Sequence, residues 1–168
     1  SNYVDFIVTV GAGCQDVNWA FDKCIQHYET KKGDVWDVSM TIKAAIGIAL
    51  ESEKKELAIA TARKYARTYL DEGKIILAQT FLDLVSSETN LDLYSVIYDR
   101  IKEEDNFLDQ EERLIEIGGK LGLEEEVNEQ KRILMHDAEE SSDFISALKL
   151  ARELGEVEKE ELYLGLNS

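Results

Sequence analysis

Arg63 and Arg67 stand four residues apart in the stretch "ARKYARTYLDEGKIILAQTFLDLV" (62–85). On a helix this spacing brings both guanidinium groups to one face, beside the apolar stripe. A guanidinium fork holds a carboxylate through two parallel hydrogen bonds, so the pair could grip an acidic side chain or a chain end. The same arginines could instead pair internally with the chain's surplus acids, such as Glu56 or those of the acidic second half. Cys24 and His27 are the other candidates, three apart and able to share one ion. Zinc takes four ligands, usually with a second close pair. Cys14 is off that register and no second pair exists, so no metal is expected; the alternative is a half-buried cysteine beside a rim histidine.

Three further patterns lose their chemistry on inspection. "VTVGAGCQD" (8–16) mimics the opening of a dinucleotide-binding turn, but Asp16 stands where the third glycine belongs and would repel a pyrophosphate. No cofactor is expected, and Gly11 and Gly13 read as a joint between a first arm and the helices. The glutamates at 124–126, 139 and 140 lack the glycine-turned loop of a calcium site and read as solvated surface. No nucleophile–base set or carboxylate pair in a dry pocket is marked, so the expectation is not an enzyme.

The elements that carry these residues are helical almost throughout. Apolar residues recur at three and four over 16–32, 35–52, 55–72, 74–87, 91–104, 110–120, 124–137 and 143–154. Asp34, Asn90, Asp109 and Ser142 are placed to cap helix starts. Gly33, Gly73 and Gly155 are placed to end helices. "EKEELYLGLNS" reads as a short tail, and "YVDFIVTV" as a helix or ordered arm. The 168 residues contain no proline to interrupt these runs. Ser1-Asn2 in place of a starting methionine reads as a cloning scar or as an excised domain, in which case flanking domains are expected.

Net charge is −16, unevenly spread. Residues 91–168 hold 22 acids and 9 bases, whereas 54–90 hold 5 and 6. Such a surface repels phosphate backbones, which argues against nucleic acid and for a protein or peptide partner, or simply for solubility. No apolar run reaches the roughly 18–20 residues of a membrane span. Two cysteines are too few for a disulfide framework, so a reducing, cytoplasmic setting is expected.

In the 62–85 stretch, Ala62, Tyr65, Ala66 and Tyr69 share one face, Gly73 follows Tyr69 by four, and Ala78 follows Gly73 by five. Small Ala66 and Ala78 permit close helix approach, and Gly73 suits a left-handed turn between the helices. This spacing resembles the tetratricopeptide repeat, a roughly 34-residue helix–turn–helix unit. Ala62 stands for its tryptophan, Leu82 for its second aromatic with Phe81 adjacent, and Asn90 for its proline. Residues 144–155 echo the first helix through Phe144, Ala147, Leu148, Ala151 and Gly155. Residues 21–33 and 114–122 do so more loosely. The marking glycines at 33, 73, 122 and 155 show no constant period.

The resemblance implies an all-α fold, an α–α superhelix of antiparallel helical hairpins with about nine helices. Residues 1–15 would be an N-terminal arm or first helix, and 16–168 the helical repeat domain. A non-repeat helical domain is the alternative. In that family, the residues just after the first conserved position and just after the small one line the concave groove. Arg63 and Arg67 match those places, so the resemblance gives them a partner-binding role. Asp22 and Gln26, then Ile145 and Lys149, are the equivalents elsewhere. The expected function is a protein–protein interaction module, an adaptor or scaffold holding a peptide or protein in a helical groove. The alternatives are a helical domain or accessory subunit of an enzyme, and a small-molecule sensor bundle. A basic partner held at Glu124, Glu125 and Glu126 rivals the acidic one.

Overall fold

The computed structural model describes residues 17–30, 35–104 and 107–166, with backbone alone for residues 17 and 35–38. The expected arm over 1–15, the glycine-rich stretch with Cys14 and Asp16, and the Gly33–Asp34 turn lie outside the described residues. Among the described residues the chain is all-α, with nine helices and one 3-10 turn. The helices are α1 (Val17–Thr30), α2 (Val35–Glu51), α3 (Lys55–Asp71), α4 (Ile75–Leu82), α5 (Leu91–Glu103), α6 (Gln110–Leu121), α7 (Glu124–Glu140), α8 (Phe144–Leu154) and α9 (Val157–Leu166). The 3-10 turn is Ser87–Thr89. Two compact units share the chain, Ser1–Leu93 and Tyr94–Ser168, and the division falls inside α5.

In the first unit α1 packs on α2, α2 on α3 and α3 on α4. Apolar residues at three and four spacing direct one face of each helix inward. Cys24 of α1 and Ala45 of α2 meet in one cluster with Ala20 and Ile48. On α3, Ala62 and Ala66 are fully buried, with Tyr65 and Tyr69 beside them. The Tyr65 ring meets Tyr28 of α1 edge-on, centroids 4.7 Å apart, and Tyr69 tilts against Phe81 of α4 at 5.5 Å. Small residues thus let backbones approach while aromatic rings fill the space alongside. In the second unit α6 packs on α7, α7 on α8 and α8 on α9. Its last hairpins close over Met135, Ala138, Ala147, Ala151 and Tyr163.

One turn geometry joins five of the helix pairs. Its left-handed residue is Glu53, Gly73, Gly122, Ser142 or Gly155, with φ between 59° and 74°. In each turn the next residue's N–H returns to a carbonyl five residues back: Lys54 to Ala49 (2.9 Å), Lys74 to Tyr69 (2.8 Å), Leu123 to Gly118 (2.9 Å), Asp143 to Ala138 (2.8 Å) and Glu156 to Ala151 (2.9 Å). The left-handed residue's own N–H reaches three back, completing a Schellman turn. The following helix starts at once, so the residue four before the left-handed one and the residue five after hold equivalent places in each turn. These pairs are Ala49 and Ala58, Tyr69 and Ala78, Gly118 and Val127, Ala138 and Ala147, and Ala151 and Glu160. One member of each is small. At Gly118 an added Cβ would come within 2.8 Å of Val127 Cγ2, which shows how close the crossing is.

Several sequence expectations shift. α4 stops at Leu82, not 87, and Thr89 Oγ1 and Asn90 Nδ2 both donate to the Ser86 carbonyl (2.8 Å each) to hold the 3-10 turn. Asp109 does sit at the start of α6, but in the left-handed region and with no side-chain capping bond. Asp143 rather than Ser142 caps α8, accepting from the Ser146 N–H at 3.2 Å. The expected tail is helix α9, which buries Tyr163.

Candidate functional site

α3 carries the candidate site on its outer face. Glu56, Ile59, Ala60, Arg63, Lys64 and Arg67 line an open depression of about 600 Å³. Their spacing, at three and four from Glu56 to Arg67, makes them one stripe of the helix, turned away from the buried Ala62–Tyr65–Ala66–Tyr69 stripe. Ile59 and Ala60 give an apolar floor, and the three cations border it.

The two arginines differ in what they already hold. Arg63 grips Asp92 through two parallel bonds, Nη1 to Oδ1 at 2.8 Å and Nη2 to Oδ2 at 2.7 Å. Its Nη1 also donates to the Thr89 carbonyl at 2.7 Å and to Asn90 Oδ1 at 3.3 Å. Arg63 therefore pins the 3-10 turn and the first turn of α5 onto α3, and its side chain is only 23% exposed. The hydrogen bond from Arg63 holds the Asp92 carboxyl below its usual range, and the same bond raises the guanidinium. Arg67 is 59% exposed and reaches Asp92 only at 3.7 Å, sharing an oxygen that Arg63 has taken. Lys64 is exposed, with its ammonium 5.1 Å from the Tyr65 ring centre. The bidentate carboxylate grip expected of this pair thus exists, with the chain's own Asp92 inside it. Asp92 belongs to the acidic second half and Glu56 does not enter the pair.

Cys24 is fully buried, and desolvation pushes its thiol up to about 11. A buried thiol raised in this way is less reactive than an exposed one, and Cys24 packs as part of the α1–α2 core. No group of three or more His, Cys, Asp and Glu among the described residues could hold a metal ion. No helix among them is long and apolar enough to cross a membrane.

A second polar cluster went unforeseen because it depends on α9. Glu139 of α7 accepts from the Tyr163 hydroxyl and from Lys159 Nζ at 3.1 Å, and His136 Nδ1 lies 3.5 Å away. The Tyr163 hydrogen bond leads in lowering the Glu139 carboxyl. Burial, then the bond to Glu139, raises the phenol. The cluster ties α9 to α7 across α8; only the Tyr163–Glu139 spacing of 24 could have hinted at it.

Comparison with protein-family models, with curated proteins and with solved structures finds no match to this chain.

Proposed function

We propose that this chain is a protein-interaction module of the tetratricopeptide-like kind, acting as adaptor or scaffold, that takes an acidic segment of a partner protein along the outer face of α3. One observation carries the reading: an exposed stripe with an apolar floor, Ile59 and Ala60, bordered by cations of which Arg67 is largely uncommitted. Arg67 and Lys64 supply the attraction. Arg63, clamped on Asp92, sets the position of the stripe and of the loop beside it. The module belongs to the binding class and not to the enzymes, with no cofactor in its working form. The reading includes a reducing, cytoplasmic setting, in which Cys24 stays a free thiol.

The test is capture by a synthetic acidic peptide that alternates Glu with Leu. Lys64→Ala with Arg67→Ala should leave the melting temperature within a few degrees, since exposed cations contribute little to stability. Affinity should fall tenfold or more, because charge-assisted contacts to a carboxylate contribute about 1.5–3 kcal/mol each. Unchanged affinity in the double variant would remove α3 as the site.

A further inference from the structure

The outer face of α9 exposes four aliphatic side chains. Tyr163 is 1% exposed and turns inward against α8 and Glu139, while Val157, Leu162, Leu164 and Leu166 are 63%, 57%, 47% and 54% exposed. At about 100° per residue, Glu158, Glu161 and Gly165 run along the middle of the outer face. Val157 and Leu164 flank that line on one side, Leu162 and Leu166 on the other. Both glutamates are exposed. The one cation of α9, Lys159, is turned to Glu139 and leaves the outer face without positive charge.

Charge selects the occupant. Residues 94–168 carry 21 acids against 9 bases. Several of those bases are spent within the unit, as in Lys131–Glu153 at 2.8 Å and Arg152–Glu160 at 2.7 Å. A second copy laid α9 against α9 would set Glu158 and Glu161 against their own kind, and the leaflet of an anionic membrane would be repelled. Lys and Arg on a partner helix would instead meet the acidic line, with aliphatic side chains filling the two apolar flanks. We propose that α9 docks a basic amphipathic helix of a partner protein, at a surface separate from α3.

The probe is a 15-residue synthetic helix of Lys and Leu with Leu at three and four spacing, titrated into the full chain at about 0.15 M and 0.5 M salt. A Lys–Ser counterpart should bind at least tenfold more weakly at both salts. Leu162→Ser with Leu164→Ser should cost at least tenfold in affinity, and Glu158→Lys with Glu161→Lys the same. Glu103→Lys with Glu104→Lys, at the exposed end of α5 and the residue after it, should stay within twofold. All six residues are exposed, and unchanged melting would show the variants folded. Equal binding of the Lys–Ser peptide, or equal loss from the α5 variant, would mean diffuse charge attraction and would overturn the proposal. So would a parent dimer in sedimentation that the leucine variant dissociates, because the occupant would then be a second copy.

Discussion

α3 and α7 are both 17 residues long, and each runs between two left-handed turns 20 residues apart. Their surroundings are opposite. α3 buries seven side chains, from Ala58 to Leu70, and shows its charges on one stripe. α7 buries Met135 and Ala138 and is charged or polar over most of its surface. Counting back from each second turn, Ala62 matches Lys131, Arg63 matches Arg132 and Arg67 matches His136. Ala62 is fully buried, whereas Lys131 is 19% exposed and forms an ion pair with Glu153 at 2.8 Å. The same turn geometry therefore bounds both helices, and the side chains between the crossings, such as Ala62 or Lys131, set how deeply each helix is buried.

The largest effect is expected from making α3 resemble α7. Ala62→Lys places a charged chain between packed helices and should cost several kcal/mol by overpacking and desolvation. Lys131→Ala should cost less, about 1 kcal/mol, since it removes one partly exposed ion pair and leaves no charge between packed helices. Denaturant melts of the two variants measure the contrast directly, and similar losses would erase the core-versus-surface distinction.

Next comes the crossing of α6 with α7. Gly118→Ala forces Val127 to move, and should cost about 1–3 kcal/mol. Adding Val127→Ala recreates the Ala49–Ala58 pairing of the first unit and should recover most of the loss. Additive losses in that double-mutant cycle would mean that the two residues do not meet.

The turns themselves give smaller effects of either sign. Gly73→Val should cost about 1–2 kcal/mol, because a branched side chain in the left-handed region meets the carbonyl. Gly73→Asn should be nearly neutral. Glu53→Gly and Ser142→Gly should each stabilise by about 0.5–1 kcal/mol, as both hold left-handed conformations with a Cβ. Thermal melts with losses at all three sites would argue against a shared geometry.

The smallest effect concerns pH. Asp92 has its folded pKa depressed by the Arg63 hydrogen bond. Its contribution is complete above the unfolded carboxylate value of about 3.9 and disappears as pH falls through the lower folded value. The side chain is 57% exposed, so screening keeps the gain under about 1 kcal/mol. Asp92→Asn should lower the melting temperature slightly at pH 6 and leave no difference well below pH 4; a deficit that persists there would indicate a structural rather than ionic role.

The hairpin over 62–85 was legible because its buried alanines, its tyrosines and its glycine all mark the same crossing. Ala62, Tyr65, Ala66 and Ala78 are buried and Gly73 is left-handed at φ 74°. Ala147, Ala151 and Gly155 repeat the device in the second unit. Counting glycines hid the interval of 20 because Glu53 and Ser142 take the left-handed conformation without being glycine. α9 escaped notice because its buried face amounts to one residue, Tyr163, amid glutamates and scattered leucines. Of the α3 site, the paired cations could be read from their spacing. The Asp92 clamp could not, since a contact 29 residues away depends on how α3, the 3-10 turn and α5 come together.

The most direct test of the functional account is to follow backbone amide shifts by NMR while titrating the Glu–Leu peptide into the full chain. The account predicts that shifts concentrate at Ile59, Ala60, Lys64 and Arg67 on α3. The matching positions of α7, Asn128, Glu129, Ile133 and His136, should stay unmoved. Shifts on α7 with α3 silent, or shifts spread evenly over both helices, would contradict it.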